Sequence, residues 1–179
     1  MIAMNRCRRS LPRRKILGSK VGCVQSVYVS RQRSVESTNS PLRTMKMALK
    51  REACDKWFSD VVRAKAGWCC EFCGKSFGGP SMGLHCAHIY SRSNKSTRWS
   101  LDNAVSLCAY HHDYFGRMPV EFADWLRSYY GEGHMDILQE KRNAIMKTTK
   151  ELRNKISAHY RNEFRKLESD PQYNPCSWN

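Results

Sequence analysis

Apolar residues recur at every third or fourth position in three stretches of this 179-residue chain, and this period predicts amphipathic helices. The first stretch covers residues 47–66 and ends at Gly67. The second starts at Pro119 and ends at Gly131. The third is a long, highly charged helix between about residues 135 and 168. Its apolar stripe is narrow, so it could pack back on the core or pair with a second copy of the chain.

The segment between the first two helices follows another pattern. A knuckle turn at residues 68–74 precedes a short strand at 84–90, and a polar loop covers residues 91–100. Residues 103–107 form either a second strand or an extended entry into a helix over about residues 108–115. The whole pattern predicts an α+β fold, in which helices flank a small core made of a hairpin and a helix.

Charge divides the chain into two unequal parts. The net charge is +15, which favours a polyanionic partner and nucleic acid first. Residues 1–50 contain 12 Lys and Arg but only one acid, Glu36, so the rest of the chain carries only +4. Most of the charge therefore belongs to the leader, and charge alone is weak evidence for a nucleic-acid enzyme.

Residues 1–44 show no sustained period, and we expect a basic, irregular leader there. It could be a solvated disordered tail, an arm that tethers DNA or an organelle transit peptide, and Met45 or Met47 could be the true start. The chain has neither a signal-peptide pattern nor a run near the roughly 20 apolar residues of a membrane span. We therefore expect a soluble, cytoplasmic protein with no membrane partner.

Two short-spaced pairs of metal-ligand residues are the strongest local signal. Cys70 and Cys73 form one pair, and Cys108 and His111 form the other. Zinc takes four tetrahedral ligands, and two such pairs on separate segments supply them while cross-linking the chain. Cys69 could replace Cys70 only by abandoning the spacing. The nine cysteines thus indicate structural Zn²⁺ in a reducing compartment and not a disulfide scaffold.

A second series, made of His88, Asn103 and His112, is interleaved with these pairs. In this setting the chain resembles the HNH endonucleases, also called ββα-metal or His-Me finger nucleases, over about residues 47–138. The details are similar to a phage-encoded branch that includes lambda-type recombination endonucleases. They are Ala-His-Ile-Tyr-Ser-Arg at 87–92, Arg98-Trp99 before Asp102-Asn103, Cys108-x-x-His111-His112 and Tyr129-Tyr130-Gly131.

The resemblance implies a hairpin and a helix that hold one catalytic divalent metal, Mg²⁺ or Mn²⁺ by the chemistry of phosphodiester hydrolysis. It makes His88 the general base, Asn103 the residue that holds the loop and orients His88, and His112 a ligand of the catalytic metal. Arg92 and Arg98, in or beside the polar loop, are the expected contacts to DNA phosphates.

One departure from the family bears on this metal. Many members have Asp, Glu or His just before the catalytic histidine as a metal ligand, but this chain has Ala87. Some members have another histidine one helical turn past His112, where this chain has Gly116. His85 is a possible second ligand, although its offset of three residues from His88 on a strand favours the opposite face.

The leading hypothesis is a metal-dependent DNA endonuclease, with phage recombination, branched-DNA processing or DNA packaging as its setting by analogy. The alternative is a zinc-stapled nucleic-acid-binding protein with weakened catalysis. A third possibility is a homing or restriction-type nuclease that dimerises through the C-terminal helix. The expected parts are the leader at 1–44, the nuclease domain at 45–134, and a C-terminal charged helix and tail at 135–179.

Overall fold

The computed structural model describes residues 51–178, and the leader at 1–44 lies outside them. The centre is an antiparallel hairpin followed directly by a helix. Strand β1 is Leu84–His88, strand β2 is Ala104–Cys108, and helix α2 is Ala109–Arg117. Leu84 pairs with Cys108 and His88 pairs with Ala104, so His88 ends β1 opposite the start of β2. A 3-10 turn, Leu101–Asn103, leads into β2.

Four further helices surround this centre in the described residues: α1 (Ala53–Lys65), α3 (Pro119–Tyr130), α4 (Glu132–Asn143) and α5 (Lys150–Ser169). Helix α1 packs against both strands and, most extensively, against α5. Helix α1 begins at Ala53, later than the predicted start at 47, because the Asp55 carboxylate accepts a hydrogen bond from the backbone N–H of Glu52 and caps the helix there. The chain turns after α1 at Gly67, which has φ of +63°.

The apolar side chains form two clusters on either side of the hairpin. One lies between α1, α5 and the segment before β2, and it includes Cys54, Phe58, Val61, Val62, Trp99, Leu101, Ala104, Ile156, Tyr160 and Leu167. The other lies between the hairpin, α2 and α3, and it includes Cys70, Leu84, Ala87, Val105, Leu107, Cys108, Phe115 and Leu126. This mixture of helices with one small antiparallel sheet confirms the predicted α+β class.

The prediction of one long C-terminal helix is wrong, because the chain forms α4 and α5 with a break at residues 144–149. Ile145, which the predicted stripe included, is 95% exposed. The side chain of Thr149 accepts a hydrogen bond from the backbone N–H of Leu152 and caps α5. Ser96 also donates to the backbone carbonyl of Arg142, next to the last residue of α4. The cap at Thr149 and the hydrogen bond from Ser96 to the end of α4 therefore favour two helices over the single helix that the apolar period predicts.

Residue 135, where the C-terminal part is expected to begin, lies inside α4. The C-terminal part is not a separate appendage, because α5 packs against α1. Its stripe is buried in the cluster that Ile156, Tyr160 and Leu167 share with α1. Of the two alternatives for this stripe, the structure shows packing on the same chain, and a homodimer through it would require this core to open. No helix among residues 51–178 combines the length and the apolar character needed to cross a membrane.

Candidate metal centre and active site

The first pair of cysteines lies in a tight turn immediately before the hairpin. Gly74 has φ of +72°, a conformation that only glycine adopts readily, and its N–H donates to the carbonyl of Cys70 at 2.8 Å. The N–H of Cys70 donates to the carbonyl of Lys75 at 2.9 Å. The turn therefore presents both cysteine side chains on one side of a closed loop.

The second pair comes from the junction of β2 and α2, and it meets the first. The thiol sulfurs of Cys70, Cys73 and Cys108 and one ring nitrogen of His111 all lie within 4.8 Å of one another. The Nδ1 atom of His111 is 3.1 Å from the sulfur of Cys108 and 3.9 Å from that of Cys70. Ligands of a tetrahedral zinc ion are about 3.5 to 3.8 Å apart. The four predicted residues therefore form a cluster that fits zinc in donor type and spacing.

Aromatic side chains cover this cluster. The Phe72 ring contacts the rings of His111, Phe115 and Trp125, with centroid distances of 4.7, 5.0 and 5.5 Å. Cys69 does not join the cluster, and its thiol lies 3.4 Å from the carbonyl of Gly67. The Phe72 ring thereby ties the knuckle to α2 and α3, while Cys73 stays exposed.

His88 lies at the end of β1 with its ring held from two directions. Its Nε2 is 3.0 Å from the backbone carbonyl of Arg98, and the Phe58 ring packs on it at a centroid distance of 5.5 Å. A carbonyl can only accept, so Nε2 carries the hydrogen and Nδ1 has the free lone pair. Burial lowers the pKa of His88 to about 4, although the bond to the Arg98 carbonyl opposes this shift. The ring is thus neutral and able to accept a proton at physiological pH.

Asn103 is fully buried and closes the loop between the two strands. Its amide nitrogen donates to the carbonyls of Tyr90 and Thr97, each at 3.0 Å, and its amide oxygen accepts from the N–H of Tyr90 at 2.8 Å. It does not bond to the His88 ring directly. Asn103 thus joins Tyr90 at one end of the loop to Thr97 near the other end. The residue after Thr97 is Arg98, and its carbonyl accepts the hydrogen bond from the His88 ring.

His85 and His112 lie side by side and share one open cavity with His88. The cavity has a volume of about 460 Å³, and its lining also includes Arg51 and Arg92. The rings of His85 and His112 are 4.9 Å apart between centroids. Burial and the nearby His85 lower the pKa of His112, so its ring is a neutral potential ligand.

The preference for His85 on the opposite face is therefore wrong. Strand β1 does not alternate: Leu84 and Ala87 are buried, while His85, Cys86 and His88 are partly exposed. A two-stranded ribbon twists more than a large sheet, so residues three apart can converge on one cavity. The Nε2–H of His85 donates to the carbonyl of Met82 at 3.1 Å, which leaves its Nδ1 free.

The two predicted phosphate contacts have different positions. Arg92 lines the cavity, whereas Arg98 is 7% exposed and its guanidinium binds both carboxylate oxygens of Asp55, at 2.9 and 2.6 Å. Arg98 cannot reach an external phosphate without breaking this buried pair, so the expected contact with DNA would require the pair to open. Its proximity to Trp99 and Asn103 in sequence did not reveal a partner that is 43 residues away.

Sequence reasoning missed Asp55 and Arg51. Asp55 is buried on the face of α1 that carries Phe58 and Val62, and a carboxylate at such a position was the available signal. Burial alone would raise the pKa of Asp55, but the hydrogen bonds from Arg98 and neighbouring donors lower it, so it stays ionised. Arg51 lies just before α1 in the sequence, and only the fold brings it to the cavity.

Ala87 is buried in the cluster on the α2 side of the hairpin, and it pairs with Val105. Its side chain therefore packs in the core and does not line the cavity. Gly116, in contrast, faces open space, because a side chain added there would meet no atom within 4 Å. Neither position of this chain supplies the additional metal ligand that many HNH endonucleases have.

A short hairpin, a following helix, a Cys₃His cluster at their junction and histidines in a cavity beside it define a protein with a ββα-metal core. Residues 70–119 match the family model of HNH endonucleases. The match starts at the first residue of the metal cluster and ends at the start of α3. No curated protein and no solved structure matches the chain significantly.

Proposed function

We propose that this protein is a metal-dependent DNA endonuclease in which His88 is the general base. The observation that carries the proposal is the shared cavity of His88, His85 and His112, in which His88 has a defined tautomer and a free Nδ1. In this scheme Nδ1 of His88 takes the proton from a water molecule that attacks the phosphodiester phosphorus. Such proton transfer contributes typically 10² to 10⁴ in rate.

In our proposal His112 is the first protein ligand of the catalytic divalent cation, and His85 is the second. Their adjacent rings suit this role, and Nδ1 of His85 is free of hydrogen bonds within the described structure. When bound, Mg²⁺ or Mn²⁺ supplies positive charge for the phosphate and the leaving oxygen. With only two protein ligands, substrate phosphate and water complete the coordination.

The DNA backbone would contact Arg92 and Arg51, which flank the cavity. Neither guanidinium forms an ion pair among the described residues, so both are available to phosphate. In the same scheme Zn²⁺ bound by Cys70, Cys73, Cys108 and His111 is purely structural, because its four ligands leave no open position for water. The phage-type resemblance suggests recombination or DNA processing as the setting.

A second candidate is a zinc-stapled nucleic-acid-binding protein with weakened catalysis. The burial of Ala87 in the core favours it, since this position supplies a carboxylate or imidazole ligand in many family members. The retained set of His88, Asn103 and His112 supports the endonuclease more strongly. The two candidates differ in one observable, which is metal-dependent cutting of bound DNA.

The test is nicking of supercoiled plasmid with Mg²⁺, with Mn²⁺ and with no added metal. We expect metal-dependent nicking that falls 10² to 10⁴-fold in His88→Ala. His134→Ala is a matched control, because the His134 ring also donates to a backbone carbonyl, that of Asp102 at 2.9 Å, but lies away from the cavity. Binding of DNA without nicking under every metal condition would favour the second candidate. Equal cutting by His88→Ala with its zinc retained would exclude His88 as the base.

A further inference from the structure

The carbonyl that orients His88 belongs to a segment that other parts of the chain hold in place. This inference rests on the proposed role of His88 as the base. Residues 97–101 form the end of the polar loop and the start of the 3-10 turn that leads into β2. Thr97, Arg98, Trp99 and Ser100 are all buried. The Arg98 carbonyl is the hydrogen-bond acceptor of the His88 ring, so any rotation of this peptide group redirects Nδ1.

Asp55 on α1 fixes this segment from one side. Besides the two bonds from Arg98, its carboxylate accepts a hydrogen bond from the indole N–H of Trp99 at 3.0 Å. The same carboxylate caps α1 through Glu52. Two successive side chains are thus bound to one carboxylate, which restricts the peptide unit between Arg98 and Trp99.

Tyr160 on α5 fixes the segment from another side. It is fully buried, and its hydroxyl donates to the backbone carbonyl of Trp99. Burial raises the pKa of this hydroxyl to about 12, so it keeps its proton and remains a donor. The hydroxyl in turn accepts from the backbone N–H of Trp178 at 3.0 Å, and Ser177 accepts from the N–H of Leu101 at 3.0 Å.

The C-terminal segment is itself anchored on α5. Glu163 is almost fully buried, and its carboxylate accepts from the hydroxyl of Tyr173 at 2.9 Å and from the N–H of Cys176 at 2.8 Å. The bond network therefore runs from Glu163 through the C-terminal segment to the residues around Arg98. None of these residues lines the catalytic cavity except Asp55.

We propose that Tyr160 and Asp55, together with the C-terminal segment 176–178, are positioning residues that hold the Arg98 carbonyl and thereby orient the His88 ring. The matched HNH model ends at residue 119, so this support comes largely from elements outside the matched region. Helix α5 and the C-terminal segment are then part of the apparatus of the base, in addition to the fold.

The principal test is Tyr160→Phe, which keeps the ring and removes the hydroxyl. We expect kcat for plasmid nicking to fall about 10- to 100-fold with little change in KM, since a misplaced base weakens the chemical step and not substrate binding. Tyr114→Phe is the control, because the Tyr114 hydroxyl bonds only to Glu121 between α2 and α3. Its kcat should remain within about twofold of the unmodified protein.

The second readout is the ¹⁵N spectrum of the His88 ring, which reports the tautomer directly. We expect Nε2-protonated imidazole in the unmodified protein and a shift toward mixed tautomers in Tyr160→Phe. Ser177→Ala, which removes the bond to Leu101 and a hydroxyl next to that of Tyr160, should move both readouts in the same direction by a smaller amount, and it serves if Tyr160→Phe fails to fold. Both variants should retain zinc.

Unchanged kcat and an unchanged His88 spectrum in folded Tyr160→Phe, or in Ser177→Ala should that protein not fold, would overturn the positioning role. That result leaves the endonuclease proposal intact if the unmodified protein cuts DNA and His88→Ala does not. If the unmodified protein cuts no DNA, the endonuclease proposal fails by itself. The spectrum still decides whether these residues orient the ring.

Discussion

At the scale of single residues, the most informative group is the imidazole of His88. Its burial against Phe58 would be unremarkable for a structural histidine, but its hydrogen bond to the Arg98 carbonyl leaves Nδ1 unprotonated beside an open cavity. A low pKa makes the ring a weaker base, while it also ensures that nearly every molecule is in the active protonation state at neutral pH.

We expect the His88 ring to stay neutral from pH 8 down to about pH 5 and to protonate only near pH 4. Free histidine titrates near 6.5, so the unfolded chain binds the proton first as the pH falls, and the free energy of unfolding decreases below about pH 6.5. Ring ¹⁵N chemical shifts followed between pH 8 and pH 4.5 check this. A titration midpoint near 6.5 for His88 would contradict it.

At the scale of elements, α2 carries a residue of each candidate metal site at two successive positions. His111 points to the cysteine cluster and His112 to the cavity, because successive residues of a helix are about 100° apart. The same helix has an open position at Gly116, one turn after His112, where an added side chain would meet nothing. The helix can therefore accept a further ligand for the proposed catalytic metal without repacking.

We expect Gly116→His to bind Mn²⁺ about tenfold more tightly than the unmodified protein, since His112 and a histidine four positions later lie on the same helix face. Gly116→Ala is the matched control, because it also replaces the glycine by a better helix former but adds no ligand. Free Mn²⁺ measured by electron paramagnetic resonance gives both affinities. Equal Mn²⁺ binding by the two variants would show that the cation does not sit beside His112.

At the scale of the whole molecule, the Cys₃His cluster joins the knuckle before the hairpin to the helix after it. Two strands of five residues each are too little sheet to be stable alone. The apolar cluster on the α2 side of the hairpin contains two of the proposed zinc ligands, Cys70 and Cys108, so zinc binding and apolar packing stabilise the same region. The other apolar cluster, between α1 and α5, contains none of the proposed zinc ligands.

We expect Cys73→Ser to release zinc and unfold residues 68–115, because metal-binding free energy contributes directly to folding in such sites. Helix α1 paired with α5 should keep part of the helical signal. His112→Ala should retain about one zinc per chain and lose cutting. Cys176→Ser is the control for zinc content, because this cysteine is exposed and lies outside the cluster. Zinc stoichiometry and circular dichroism check this, and the opposite pattern for Cys73 and His112 would contradict the assignment.

Sequence alone determined the features that depend on local spacing. The knuckle at Cys70 and Cys73, the first strand, α2 and α3 follow from turn residues and short periods, and the short spacing of each ligand pair indicated the cluster. The pattern at residues 103–107 fits either a strand or an entry into a helix, and the pairing in the hairpin decides for the strand. The break before Thr149 is also local, but the helical period around it obscured the cap.

Only the tertiary structure decided where side chains of the site point and what holds them. The convergence of His85 with His88 depends on the twist of a two-stranded sheet, and the burial of Arg98 depends on Asp55, 43 residues earlier. The link from Tyr160 to the segment around Arg98 spans 61 residues. Hydrogen bonds between distant segments produce no periodic pattern in the sequence, because each one forms only when the packed core brings its partners together.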